Sequence, residues 1–217
     1  MIEHVYRRAS ASPVVSQVIV ATDDLRIATR VRAFGGHVRL TSPDHFTGTD
    51  RLAEVAESLD CDVVVNVQGD EPLLDPRAIT ELVEPFSDPT VSMSTLYRRI
   101  ADPAELSNPN IVKLVTDRAG FAMYFSRAPI PHMRDQKGGW PPLFRHVGVY
   151  AYRRSALLVL AALEPTPLER AESLEQLRAL EHGIRIKAIE TSYDSIGVDT
   201  PADLEHVRQL LHAGRLH

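Results

Sequence analysis

The chain has 217 residues, 44% of them hydrophobic, with 24 Lys and Arg against 29 Asp and Glu and a formal net charge of -5; it is long enough to bury a core, and residues 1–217 fit one domain better than two. The acidic balance excludes a partner held by its phosphate backbone, so no nucleic acid is expected, and a lone cysteine, Cys61, excludes an internal disulfide and a cysteine-based metal site. The first residues lack the apolar stretch of a signal peptide and no apolar run approaches the about 20 residues of a membrane span, so the expected setting is the cytoplasm, with no membrane partner.

Ile2, Val5, Tyr6 and Ala9 stand at helical spacing and predict a helix over 1–11. A β-branched run predicts a strand at 18–21, then a helix over 23–34 ended by Gly35 and Gly36, and a short strand at 37–40. After a loop through Gly48, a helix is expected from about 50 to 59 with Thr49 as its cap. The run 63–67 reads as a fully buried central strand, because parallel strands covered on both faces lose their polar alternation. It leads directly into Gln68, Gly69, Asp70, Glu71 and Pro72.

A helix over 76–83 precedes strand candidates at 91–97, 111–116 and 121–125. Pro129, Pro131, Pro141 and Pro142 with Gly138 and Gly139 mark a long loop, expected to be a lid or binding loop. A strand at 146–152, one long helix over 167–181, a strand at 184–191 and a closing helix over 201–211 complete the pattern. Strands alternating with helices predict an α/β, Rossmann-like fold: a mostly parallel mixed sheet with helices on both faces.

A carboxylate just past the C-terminal end of such a strand stands where α/β proteins bind ligands, and Asp70 holds that position. Magnesium takes one or two protein carboxylates, with phosphate and water completing its shell, so Asp70 needs at most a distant partner, for which Asp199 is the best candidate. On residues alone, Asp70 equally caps the turn before Pro72 and Asp199 caps the helix entered at Thr200 and Pro201. Arg127, Arg134, His146, Tyr150, Glu175 and Gln176 supply a mixture of cations, donors and acceptors that a polar ligand pocket could use. His146 and Tyr150 are four apart on one strand and share a face. The alternatives are solvated arginines, half-buried core rings and a polar helix face.

Six segments occur together and in order: 48–54, 66–72, 124–131, 145–150, 174–178 and 197–201. Together they resemble the 3-deoxy-manno-octulosonate cytidylyltransferase (CMP-Kdo synthetase) family over essentially the whole chain. The resemblance implies a nucleotidyltransferase fold, transfer of CMP from CTP to Kdo for lipopolysaccharide biosynthesis, a homodimer, and magnesium held by Asp70 and Asp199 beside the CTP α-phosphate. It matches Arg134, His146, Tyr150, Glu175 and Gln176 to sugar-contacting positions, with Gln68 and Arg127 completing the expected substrate-binding set, and places Thr49, Asp50 and Arg51 against the cytidine; a plain helix cap with an exposed Arg51 is the alternative there. Around Arg134 the chain reads Pro131-His132-Met133-Arg134, where the family carries tryptophan and aspartate before the arginine.

The family opens with a strand and a loop of the type Ala-Arg-x-x-Ser-x-Arg-x-Pro-Gly-Lys, which this sequence does not contain. The expectation is therefore a chain shortened at its N-terminus, with the first strand absent, unpaired strand edges and impaired activity. The alternatives are an inactive sugar-binding or dimerisation subunit and another sugar nucleotidyltransferase.

Overall fold

The structure, a computed structural model, describes residues 1–134, 141–194, 196–198 and 200–212. It begins with α1 (Ile2–Ser10), β1 (Ile19–Thr22), α2 (Leu25–Ala33), β2 (His37–Leu40), α3 (Gly48–Glu57), β3 (Val63–Asn66) and α4 (Pro76–Val83). A 3-10 turn (Glu84–Ser87), β4 (Met93–Arg99), α5 (Pro103–Ser107), β5 (Lys113–Thr116), β6 (Ala122–Ser126) and β7 (Phe144–Arg153) follow. Last come α6 (Arg154–Ala161), α7 (Pro167–Glu172), α8 (Gln176–Glu181), β8 (Ile186–Glu190) and α9 (Pro201–His212). Among the described residues no helix is long and apolar enough to cross a membrane.

Local chemistry accounts for most helix ends. The carboxylates of Asp24, Asp75 and Asp102 each accept from the amide two residues on, at the starts of α2, α4 and α5. Pro76, Pro103 and Pro167 occupy first turns, where a missing N–H is no loss. Gly35 takes a φ of 81°, the left-handed conformation that ends α2.

The strands form a two-stranded sheet, β1–β2, and a six-stranded sheet in the order β6-β5-β7-β4-β8 with β3 also paired to β7. β1 and β2 are parallel, as are β4 and β8, while β7 runs against β3, β4 and β5, and β6 against β5. In the larger sheet β3, β4, β5 and β8 thus share one direction, and β7 and β6 oppose them. The central strand is β7, not β3. Residues 150–152 of β7 lie between β3 and β4, and residues 144–145 lie between β5 and β4. The first three residues of β3 are only half-buried, and its strand pairing among the described residues is to β7 alone. A run of valines reports apolar surroundings, and here helices supply part of that cover, so it does not give the strand's place in the sheet.

Helices cover both faces. On one side Met93, Leu114, Phe125, Tyr152 and Ile186 pack with Leu157 and Leu160 of α6 and Leu177 of α8. On the other, Leu96, Val147, Val149 and Ala151 pack with Leu74 and with Ile79 and Leu82 of α4. The alternation along β7 therefore sends Tyr152 to the α6/α8 side and Val147, Val149 and Ala151 to the α4 side.

Two expected helices differ. The cap of α3 is Thr47 rather than Thr49: Thr47 Oγ1 accepts from the Asp50 amide at 3.1 Å, and Asp50 Oδ2 accepts from the Thr47 amide at 3.2 Å, a reciprocal box that starts the helix two residues earlier. The helix expected over 167–181 is broken, because Ser173 adopts φ 52°, ψ 50° between α7 and α8. No glycine or proline marks that break in the sequence; contacts from elsewhere hold it.

Candidate active site

β3 ends at Asn66, opposite Tyr150 of β7, and Tyr150 in turn lies opposite Thr95 of β4. Beyond Asn66 the chain leaves the sheet through the exposed Gln68 and Gly69 to Asp70, half-buried in a turn. Gln68 Nε2 donates back to Asn66 Oδ1 at 3.4 Å. The Asp70 carbonyl accepts from the Val198 amide at 2.9 Å, and a Cβ on Gly197 would stand 4.0 Å from Glu71 Oε1. Segment 196–198 is thus laid against the acidic turn. The next residue, Asp199, lies outside the described residues, as do Gly138 and Gly139 of the long loop. Among the described residues the Asp70 carboxylate has neither hydrogen bond nor ion pair, whereas Glu71 accepts from the Tyr193 hydroxyl at 2.8 Å.

Beside this turn, β7 carries a row of rings. His146 stands 5.0 Å from Phe125 and 5.3 Å from Tyr150, and Tyr150 stands 6.0 Å from Tyr152, centroid to centroid. Four residues of regular strand would separate His146 and Tyr150 by about 13 Å. A bulge closes the distance: Thr95 pairs with Tyr150 but Leu96 with Val147, so Gly148 and Val149 are extra residues against one step of β4. Two extra residues leave the parity intact, and the pair keeps one face.

Thr95 decides the state of His146. Its hydroxyl donates to the Val149 carbonyl at 2.9 Å, so toward His146 Nε2, 2.9 Å away, the same oxygen accepts. With the Thr95 proton given to Val149, Nε2–H is the donor to Thr95 and Nδ1 is the acceptor. Burial holds the His146 pKa down to about 3. Burial also raises both tyrosines, and the neighbouring Glu175 raises them further. These rings are neutral donors and acceptors.

Further polar groups come from α3 and the start of α8. Thr49, buried within α3, donates its hydroxyl to Glu175 Oε2 at 2.8 Å. Glu175 precedes α8 and Gln176 is its buried first residue. Oε1 of Glu175 is buried without a hydrogen bond, and burial raises the carboxyl's pKa. Asp50 belongs to the capping box described above. Arg51 is not exposed: its Nη1 donates to Thr41 Oγ1 and to the Ser42 carbonyl and lies 3.4 Å from Asp23 Oδ1, tying α3 to the β1–β2 sheet.

The two candidate sugar cations separate. Arg127 donates from Nε to the Glu172 carbonyl at 2.8 Å, from Nη1 to that of Pro109 at 3.1 Å and from Nη2 to that of Ser173 at 3.3 Å. Arg134 is exposed beside the undescribed stretch 135–140. Sequence reading missed Asn66, Thr95 and Tyr152. Tyr152 had a signal, since it is an even step from His146 and Tyr150 along one strand; Thr95 and Asn66 are recognisable only once their strands are paired with β7.

The sequence profile described as cytidylyltransferase matches residues 1–186. A relative named 3-deoxy-manno-octulosonate cytidylyltransferase from Geobacter metallireducens is 53% identical, covering 97% of this chain and 87% of its own length. One of the same name from Solibacter usitatus is 52% identical over 100% of this chain and 86% of its own. A solved structure of CMP:2-keto-3-deoxy-manno-octonic acid synthetase complexed with CTP superposes with a TM-score of 0.93 at 43% identity, covering 98% of this chain and 88% of that one. A 4-diphosphocytidyl-2C-methyl-D-erythritol synthase from Anaerococcus prevotii, at 12% identity and a TM-score of 0.63, shares the fold alone. By sequence and by fold, this chain belongs to the cytidylyltransferase family, among the 3-deoxy-manno-octulosonate cytidylyltransferases, and is a nucleotidyltransferase enzyme.

Proposed function

We propose that this enzyme transfers CMP from CTP to Kdo, giving CMP-Kdo and pyrophosphate, a step that supplies activated sugar for lipopolysaccharide biosynthesis. The supporting observation is 43% identity, over 98% of this chain, to a synthetase solved with CTP. The anomeric hydroxyl oxygen bonds to the α-phosphorus in line, the bond from that phosphorus to the bridging oxygen breaks, and the hydroxyl proton passes to solvent. Positioning and charge neutralisation carry such a step.

The residues divide the work. His146 Nδ1 accepts a sugar hydroxyl, the Tyr150 phenol donates, and Glu175 Oε1 accepts; Gln176 does both. With its guanidinium already held by three carbonyls, Arg127 leaves Arg134 as the cation for the sugar carboxylate. Gln68 borders the sugar side next to the acidic turn. Thr49, Asp50 and Arg51 line the cytidine side, where the box and the ties to Asp23 and Thr41 hold the start of α3 in place. The donor set fits magnesium: Asp70 offers a hard carboxylate without a partner among the described residues, and the chain returns to its carbonyl one residue before Asp199. Bound by Asp70 and Asp199, the ion would neutralise charge at the α-phosphate.

Pyrophosphate release, measured in magnesium buffer with Kdo and each of CTP, UTP, GTP and ATP, tests the reading. Turnover is expected with CTP. Equal turnover with UTP, or none with CTP, overturns it.

A further inference from the structure

We infer that Glu172 and Arg127 form a clamp that positions Glu175 and Gln176, making both members positioning residues rather than sugar contacts. The chain must reverse out of α7 before α8 begins, and it does so at Ser173, a non-glycine residue at φ 52°. Left to itself a serine avoids that region, so the surroundings impose it. The Glu172 carboxylate accepts from Ser126 Oγ at 2.6 Å and from the Arg127 amide at 2.9 Å, joining the end of α7 to the end of β6. In return the Arg127 guanidinium donates to the carbonyls of Glu172 at 2.8 Å and Ser173 at 3.3 Å. Both peptide groups that bracket the left-handed turn are thus held by one side chain.

The clamp is itself anchored. The Lys113 ammonium, fully buried, donates to the carbonyls of Arg127, of Asn108 at 2.9 Å and of Ile111 at 2.6 Å. Arg127 also holds Pro109 of the same loop. Glu175 follows Ser173 by two residues and Gln176 starts α8, so any rotation at Ser173 is passed directly to both. Because all these bonds lie within the chain, Arg127 acts on a sugar only through α8. This inference rests on the proposed role of Glu175 and Gln176 as Kdo contacts.

The test uses the full chain with Glu172→Gln and, as a second variant, Arg127→Met. Hydrogen exchange is read at the Leu174, Leu177 and Arg178 amides, which bond to Glu169, Leu174 and Glu175. About tenfold faster exchange there, with β7 unchanged, is expected in both variants. Steady-state kinetics should show KM for Kdo raised about tenfold and KM for CTP within about twofold, a split that general loosening would not produce. Unchanged exchange in both variants, acceleration spread evenly over the six-stranded sheet, or equal rises in both KM values overturn the clamp. If the unmodified enzyme gives no CMP-Kdo, the functional reading fails, and exchange alone decides the clamp.

Discussion

The strands of the six-stranded sheet are locked by side chains with no exposed surface, Leu96, Leu114, Phe125, Ala151 and Ile186 among them, whereas β1 is largely half-buried and three of the four β2 residues are exposed. α2 packs on both strands of the small sheet and buries Ala28 and Val31. Polar attachments add to this: Arg51 bonds Thr41 and Ser42 from α3, and the His37 amide donates to the Tyr6 hydroxyl of α1 at 3.3 Å. Close packing tolerates little displacement, while a hydrogen bond contributes about 1 kcal/mol net. The ring row on β7 therefore rests on the rigid sheet, and the proposed cytidine side rests on attachments that are individually weak.

That contrast is broken most severely at its rigid end. Phe125→Ala should lower unfolding free energy by about 3–5 kcal/mol and leave His146 without its T-shaped neighbour. Urea denaturation checks the value, and Val20→Ala in β1 should cost well under half as much; equal losses would erase the distinction. Next in size, Asp70→Asn should reduce kcat by about a hundredfold or more, roughly 2.7 kcal/mol of barrier. Its melting temperature should hold, since the carboxylate has no partner among the described residues. A coupled pyrophosphate assay beside a thermal melt separates the two effects.

Arg51→Ala sharpens the contrast from the other side. It should cost about 1–2 kcal/mol and speed hydrogen exchange at the Thr41 amide, which bonds the Thr22 carbonyl at 3.1 Å, without touching β7. Exchange unchanged at Thr41 would show that α2 alone secures the small sheet. The last expected effect appears only as the pH falls. Burial holds His146 near 3, against an ordinary value of 6.5. Because the unfolded chain takes up that proton first, its contribution to stability is intact above about 6.5 and is lost as pH falls toward 3. In His146→Gln the melting temperature should fall less steeply over that window, and parallel curves for variant and parent would refute the assignment.

Much of the architecture was legible in the sequence. The expected spans of α4 and β2 coincide with the observed Pro76–Val83 and His37–Leu40, because capping residues and apolar spacing act within a few positions. α6 was missed: Arg154–Ala161 follows β7 without a break and is almost wholly apolar, so it offers no period to read. Thr47 was passed over for Thr49 although Asp50 stands three residues after Thr47, the spacing a capping box requires.

The linear pattern determined by itself that the chain alternates strands and helices, that His146 and Tyr150 share a face, and that an acidic turn follows the valine strand, since each depends on backbone period or on neighbours in sequence. Tertiary structure alone decided that β7 occupies the centre, that a bulge draws two rings to 5.3 Å, that Thr49 reaches Glu175, and that an arginine holds Ser173 left-handed. Those outcomes turn on which strands pair and which distant groups satisfy one another, and such pairings are settled only when the whole chain packs.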